Sequence, residues 1–260
     1  MRKTILWGIL LVFILSTNVF AITIGDGTLS DWGVNPTNQY WIPGNTTPQT
    51  GSVGSPLTGI SNGISYWIED GVGPNGFVGP GYGGQTFDIE ALYAKVEGAN
   101  LYFAASVGGM PPTGASGFTL GDIGLRFGNS YNFGIATITH NGFNQGYLYQ
   151  VSGWTNGPYP QHASSNPIQI GTASSNLGQI PFSYSFGYDN TETANDHWII
   201  EAAIPLASIG GRPDFIHLTQ TCGNDAGNVA VPEPSTMLLL GLGLITLSGV
   251  VRKVTKMAKR

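Results

Sequence analysis

Carboxylates dominate the reactive side chains of this sequence: fifteen Asp and Glu stand against four histidines and a single cysteine. Asp26, Asp31, Asp88, Asp122 and Glu201 are the acids that could converge on a structural calcium ion, which takes carboxylate and carbonyl oxygens from flexible loops. No EF-hand loop or dense Asp/Gly repeat accompanies them, and Asp31, just before Trp32, could instead turn the chain by bonding local amides. No other cofactor is expected. Asp88 and Glu90, two apart on an extended stretch, would share one strand face, an arrangement that permits paired-carboxylate hydrolysis but is commonplace on strands. His140, His162, His197 and His217 show no HExxH or other metal-ligand spacing. Cys222, alone, has no internal disulfide partner and is expected to be buried; an intermolecular bridge or a reactive thiol are the alternatives. Tyr40, Trp41, Trp154 and Tyr159 lie in polar stretches and could stack on sugar rings, or simply pack the fold.

These groups must be positioned by strands. Leu101, Phe103, Ala105 and Val107 alternate with Tyr102, Ala104 and Ser106, the period of two of a strand. The stretch 87–96 precedes them across Glu97-Gly98-Ala99-Asn100, so 87–107 reads as a hairpin. Further strands are predicted at 64–68, 121–127, 133–139, 146–151, 197–204 and 215–221, with one helical turn at 206–209 after Pro205. No long stretch carries the 3.6-residue stripe of a helix. The Gly/Pro/Asn/Ser-rich segments 34–62 and 152–186 read as loops or irregular edges. The prediction is an all-β chain, an antiparallel β-sandwich or jelly roll.

Charge is low and segregated. Charged residues make up 10% of the chain, against roughly 25% in ordinary soluble proteins, while 41% of residues are apolar. Between residues 22 and 231, three basic residues (Lys95, Arg126, Arg212) face fourteen acidic ones. An acidic body excludes nucleic acid as a partner, since phosphate contacts need clustered Lys and Arg. The remaining basic residues sit at the two ends, as expected where both ends face the inside of a membrane and the body is exported.

Arg2 and Lys3 precede an apolar run from Ile5 through Leu15, and Val19-Phe20-Ala21 supplies a cleavage site. A signal peptide over 1–21 is expected, with signal peptidase cutting between Ala21 and Ile22; an uncleaved anchor is the alternative. At the other end, Pro232-Glu233-Pro234 is held extended by its prolines. An apolar span follows over about 237–251, and then Arg252, Lys253, Lys256, Lys259 and Arg260. The span is shorter than the roughly 20 residues of a bilayer-crossing helix, although the lysines could snorkel and lengthen it.

Motif, span and basic tail in this order resemble the PEP-CTERM sorting signal of Gram-negative bacteria. The resemblance implies that an exosortase recognises Pro232, Glu233 and Pro234 and passes the chain to the cell surface or matrix; a plain C-terminal anchor is the alternative. In the body, residues 24–32 (IGDGTLSDW) resemble the opening of sandwich domains related to family-nine carbohydrate-binding modules and DOMON-like proteins. FDIEALY at 87–93, NLYF at 100–103, GDIGL at 121–125 and WIIEAAIP at 198–205 follow in that family's order, and they carry the calcium candidates. The modules hold their ligand between two tryptophans, a pair not matched to positions here. IHLT at 216–219 leading to CGND at 222–225 is similar to a pattern found ahead of PEP-CTERM tails.

The organisation expected is therefore a signal peptide (1–21), a β-sandwich (22–230) and a sorting signal (231–260). The expected role is a non-enzymatic, exported surface or matrix protein, held at the inner membrane in transit. Its expected partners are signal peptidase and an exosortase. Binding to exopolysaccharide is the alternative, and a polysaccharide-processing enzyme the third reading.

Overall fold

The computed structural model of the chain describes residues 21–49, 51–79, 81–157, 167–190 and 195–233. The expected signal peptide before Ala21, Tyr159, Pro234, the apolar span and the basic tail lie outside the described residues. Among the described residues no helix is long and apolar enough to cross a membrane.

Twelve strands appear in this order: β1 (Leu57–Ser61), β2 (Ile64–Ile68), β3 (Ile89–Glu97), β4 (Asn100–Val107), β5 (Ile123–Phe127), β6 (Ser130–Ile135), β7 (Tyr147–Thr155), β8 (Gln169–Gln179), β9 (Phe182–Asn190), β10 (Asn195–Pro205), β11 (Phe215–Thr219) and β12 (Ala226–Ala230). They form two six-stranded sheets, β1-β2-β3-β4-β10-β9 and β12-β11-β5-β6-β7-β8, every pairing antiparallel. The expected all-β sandwich is what forms.

Local sequence explains the hairpins. Asn62 and Gly63 both take positive φ and close β1 onto β2 in two residues, the turn whose twist matches paired strands. Gly98 does the same between Glu97 and Asn100, so the predicted 87–107 hairpin forms with Val96 opposite Leu101. The predicted turn at Leu206–Ile209 is a short 3-10 helix.

The alternation of β3 and β4 supplies two cores. Leu92, Ala94, Leu101, Phe103 and Ala105 point between the sheets and meet Ile123, Leu125, Leu148, Leu218 and Val229 of the other sheet. Burial of each large side chain here contributes roughly 1.5–3 kcal/mol. The sheets approach so closely at Gly227 that a Cβ there would sit 2.6 Å from Leu92. On the outer face, Ala91, Tyr93 and Ala104 are covered by Leu29, Trp32, Val34 and Trp41. The N-terminal segment thus forms an irregular third layer over the first sheet, pinned where the Tyr93 hydroxyl donates to the Trp41 carbonyl (2.8 Å).

Two expectations need correction. The segment 152–186, read as irregular, contains β8, most of β9 and the end of β7, and 34–62 contains β1. The final strand, β12, was not foreseen at all. β8 shows why: its burial pattern is largely exposed, and its QIGTASSNLGQ sequence has no apolar alternation to read.

Candidate functional site

The five acids proposed for calcium separate into three places. Asp26, Asp31 and Glu201 do converge, each offering an oxygen within 4.8 Å of the others. Hydrogen bonds occupy most of this group, although Asp31 Oδ1 is buried without one. Glu201, on β10, accepts from the Gly25 amide (2.8 Å) and the Trp32 indole (3.2 Å). Asp31, in the Ser30–Trp32 turn, accepts from the Thr23 amide (2.6 Å), and Asp26 from the amide and hydroxyl of Thr28. Burial pushes the Glu201 carboxyl up to about 7, and the charges of Asp31 and Asp26 add to it, offset in part by the Gly25 and Trp32 donors. The group clasps the N-terminal layer to the sheet.

Asp88 belongs to a second group, with Asp70 and Glu90, again within 4.8 Å of one another. Asp70 follows β2, and its Oδ2 accepts from the Trp41 indole (2.7 Å). Glu90 falls at a register shift between Ile89 and Ala91, a bulge that re-aims a side chain at the start of β3. Its Oε2 accepts from the Ser106 hydroxyl (2.9 Å), and its Oε1 meets the Gln85 amide and His197 Nε2 (2.6 Å). Behind them, Asp225 accepts from the amides of Ile89 and Ala226. Asp88 is 1% and Glu90 0% exposed. The Asp88 carboxyl bonds to the Gly71 amide and to the Asp225 side chain. Burial first, then the charges of Asp225, Glu90 and Asp70, push the Asp88 carboxyl far above the usual range; the Gly71 amide beside it offsets only part. Sequence reasoning missed Asp70, and it read Glu90 only as a hydrolase partner. The available signal was FDIE meeting the acidic end of a strand, WIED at 67–70.

Asp122 joins neither group. It accepts from the amides of Thr137 (3.1 Å) and Ile170 (2.7 Å) and contacts His140 Nε2 (2.8 Å), which ties β8 to the segments flanking β5 and β6. His217 is fully buried against Asn228, and desolvation lowers its pKa to about 4. Cys222 is a buried free thiol, with its pKa raised by burial. Gly59-Ile60-Ser61-Asn62-Gly63 matches the Gly-x-Ser-x-Gly spacing of serine hydrolases. It closes the β1–β2 hairpin rather than a strand-to-helix elbow, and the Ser61 hydroxyl donates to the Pro43 carbonyl (2.7 Å).

The aromatic candidates also divide. Trp41 is fully buried, so both its faces belong to the core and neither is open to a sugar ring. Trp154 is half-buried on the outer face of the second sheet, above Gly134, with its indole donating to the Tyr131 carbonyl (2.9 Å). Tyr40 lines a groove of about 610 Å³ with Gly27, Thr28, Val34, Pro36 and Gly187.

At the C-terminal end, Val231 leaves β12 with its amide bonded to the Asp214 carbonyl (3.0 Å). Arg212 donates from Nη1 to the Val231 carbonyl (3.0 Å) and from Nη2 to the Glu233 carboxylate. Val231 and Pro232 are buried, whereas the Glu233 side chain is 71% exposed. At the other end, Ala21 is exposed and Ile22 half-buried.

Residues 230–253 match the family model of the PEP-CTERM protein-sorting motif. The chain therefore carries that sorting signal, which implies an exosortase as processing partner and export with membrane-anchored transit to the outside or cell surface. No curated protein and no solved structure matches the chain. The likeness of the body to family-nine modules thus rests on its short segments alone.

Proposed function

We propose that this chain is a non-enzymatic surface or extracellular-matrix protein of a Gram-negative bacterium, whose sandwich is the cargo that the sorting signal delivers. The observation that carries this reading is the exit of the chain from β12. Glu233 stands out in solvent next to a buried Val231-Pro232, so a membrane enzyme meets the acidic residue at the edge of an already folded body. The absence of an enzymatic role is supported by the burial of Asp88 and Glu90, the pair with hydrolase spacing, which a polymeric substrate cannot reach. Intact-mass measurement of the protein from wild-type and exosortase-null cells tests the sorting half. Glu233→Ala and the null strain should both retain the tail; loss of the tail in the null strain would remove the exosortase from the account. Turnover of a matrix polysaccharide by the purified chain would remove the non-enzymatic half.

The groove beside Tyr40 favours a second reading, binding to exopolysaccharide. Its partly apolar lining and single ring suit a pyranose face. Polysaccharide pull-down that weakens in Tyr40→Ala supports it; equal retention of both forms counts against it.

A further inference from the structure

On the reading that an exosortase processes this chain, we propose that the groove between β1 and β12 is a docking site for an extended, apolar segment of that enzyme. The exosortase then reads the folded body together with the sorting motif. β1 is the outer strand of the first sheet and β12 that of the second. Between them lies a groove of about 380 Å³. Ile60 and Tyr66 line one side, Phe215 and Ala230 the other, and Pro232 and Glu233 of the motif complete it.

The edges of the two sheets differ in how they are protected. At the opposite edges, the pairing of β8 is broken by four register shifts and that of β9 by one. Such bulges discourage a further strand from adding on. β1 and β12 pair in unbroken register, and their sequences, LTGIS and AGNVA, hold neither charge nor proline. Ile60 is 64% exposed, more than any other large apolar side chain among the described residues. A lone exposed isoleucine needs no explanation. One that shares a groove with the sorting motif, in which Glu233 is the only charged lining residue among those described, does.

Two observations commit the groove to the enzyme. The motif itself lines the groove, so the docking surface is continuous with the carboxylate to be recognised, which Arg212 holds in place. Met237, where the apolar span begins, follows Glu233 by four residues, at most about 14 Å of extended chain. The anchored chain therefore keeps the groove at the membrane surface, within reach of a membrane enzyme. A lipid surface is the poorer fit, because the groove offers anionic headgroups a carboxylate and, among the described residues, no Lys or Arg lining. An extended segment laid along β1 would gain main-chain hydrogen bonds from its open edge and bury an apolar side chain against Ile60.

The test follows loss of the tail from the full-length chain in cells, by pulse-chase and intact mass. Ile60→Asn, which adds no charge beside Glu233, should slow the loss at least fivefold relative to wild type. Its melting temperature, measured on the full chain in detergent, should fall by no more than about 4 °C, the range of a propensity change in a strand. Val72→Asn, at an apolar residue 41% exposed and outside the groove, should be processed at the wild-type rate. A photo-crosslinking side chain at position 60 should capture the exosortase, identified by mass. If Ile60→Asn fails to fold, Ile60→Thr, which keeps the branched side chain, replaces it and should slow the loss at least twofold. Wild-type processing of a folded Ile60 variant overturns the docking site, and so does a crosslink only to lipid or to a second copy of the chain. Retention of the tail in exosortase-null cells would then leave the sorting reading standing, whereas loss of the tail there removes both.

Discussion

The two acidic groups on the first sheet have the same number of carboxylates at the same spacing, yet they are built differently. Around Asp26, Asp31 and Glu201 the donors are mainly backbone amides of the N-terminal segment, so the acids act as acceptors that hold that segment down. Around Asp70, Asp88 and Glu90 the donors are mainly side chains reaching in from Trp41, Gln85, Ser106 and His197, while Asp88 bonds to the Gly71 amide and the Asp225 carboxyl. Proximity of carboxylates is therefore a poor guide to a cation. What meets each oxygen decides what such a group does, because a buried oxygen left unmet costs about 1–3 kcal/mol or more.

The largest effect that would sharpen this contrast belongs to Glu90→Ala. It removes the acceptor of Ser106 and Gln85 and the partner of His197, and truncating one member of a buried charge pair costs about 3–5 kcal/mol. The loss is read from denaturant midpoints. Glu201→Ala, which loses an amide and an indole donor rather than a charge partner, should cost less. An equal loss at both positions would break the comparison.

Next in size is a pH effect outside both groups. His217 has its pKa lowered to about 4 from an ordinary 6.5. Below 6.5 the unfolded chain takes up a proton that the folded one refuses, so stability present above that pH is lost as pH falls toward 4. At 1.36 kcal/mol per unit the loss reaches roughly 3 kcal/mol. Melting curves of His217→Gln should lack this acid loss; an unchanged acid slope would move its cause elsewhere.

Glu201 runs with the opposite sign. Its carboxyl is raised from 4.5 to about 7, so its contribution is full below 4.5 and declines as pH rises through 7. Glu201→Gln, measured on the His217→Gln background, should remove that decline. Glu201→Ala leaves the buried Trp32 indole without its acceptor and should cost about 1–3 kcal/mol.

What could be read in advance follows the same physical divide between positions that must be apolar and positions that need not be. The strands foreseen from the sequence are β2, β3, β4, β5, β6, β7, β10 and β11, the interior members of the two sheets. Those missed or read as loop are β1, β8, β9 and β12, and they are the four edges. An edge strand has a partner on one side only and is kept polar or irregular, which discourages pairing with other chains; β8 is accordingly mostly exposed. The site divides in the same way. Of the five acids expected to converge, only Asp26, Asp31 and Glu201 do, although Asp88 and Asp122 lie in equally recognisable segments. Asp70 joins Asp88 only because the β2–β3 register brings the end of one strand beside the start of the next, with Ile68 opposite Ala91. A bulge such as the one at Glu90 leaves no mark in a pattern of alternation. Trp41 looked like a loop aromatic because nothing local shows that the segment carrying it folds over the sheet.

The smallest predicted effect lies at the sorting segment, and it contrasts a surface ion pair with the buried groups. Arg212 meets Glu233 where the glutamate is mostly in solvent, a setting in which ion pairs contribute about 0–1 kcal/mol and are screened by salt. Arg212 also donates to the Val231 carbonyl, and that bond lies at the edge of the fold rather than in its core. Arg212→Ala should therefore lower the melting temperature by no more than a few degrees. Arg212→Lys keeps the charge but loses the forked geometry that lets one side chain bridge both groups, so it should behave like the alanine variant toward Val231. Raising salt should shrink the difference between wild type and Arg212→Ala, whereas the cost of Glu90→Ala should barely respond. A salt-insensitive loss of several kcal/mol at Arg212 would mean that the sorting segment is part of the folded body's stability rather than an extension of it.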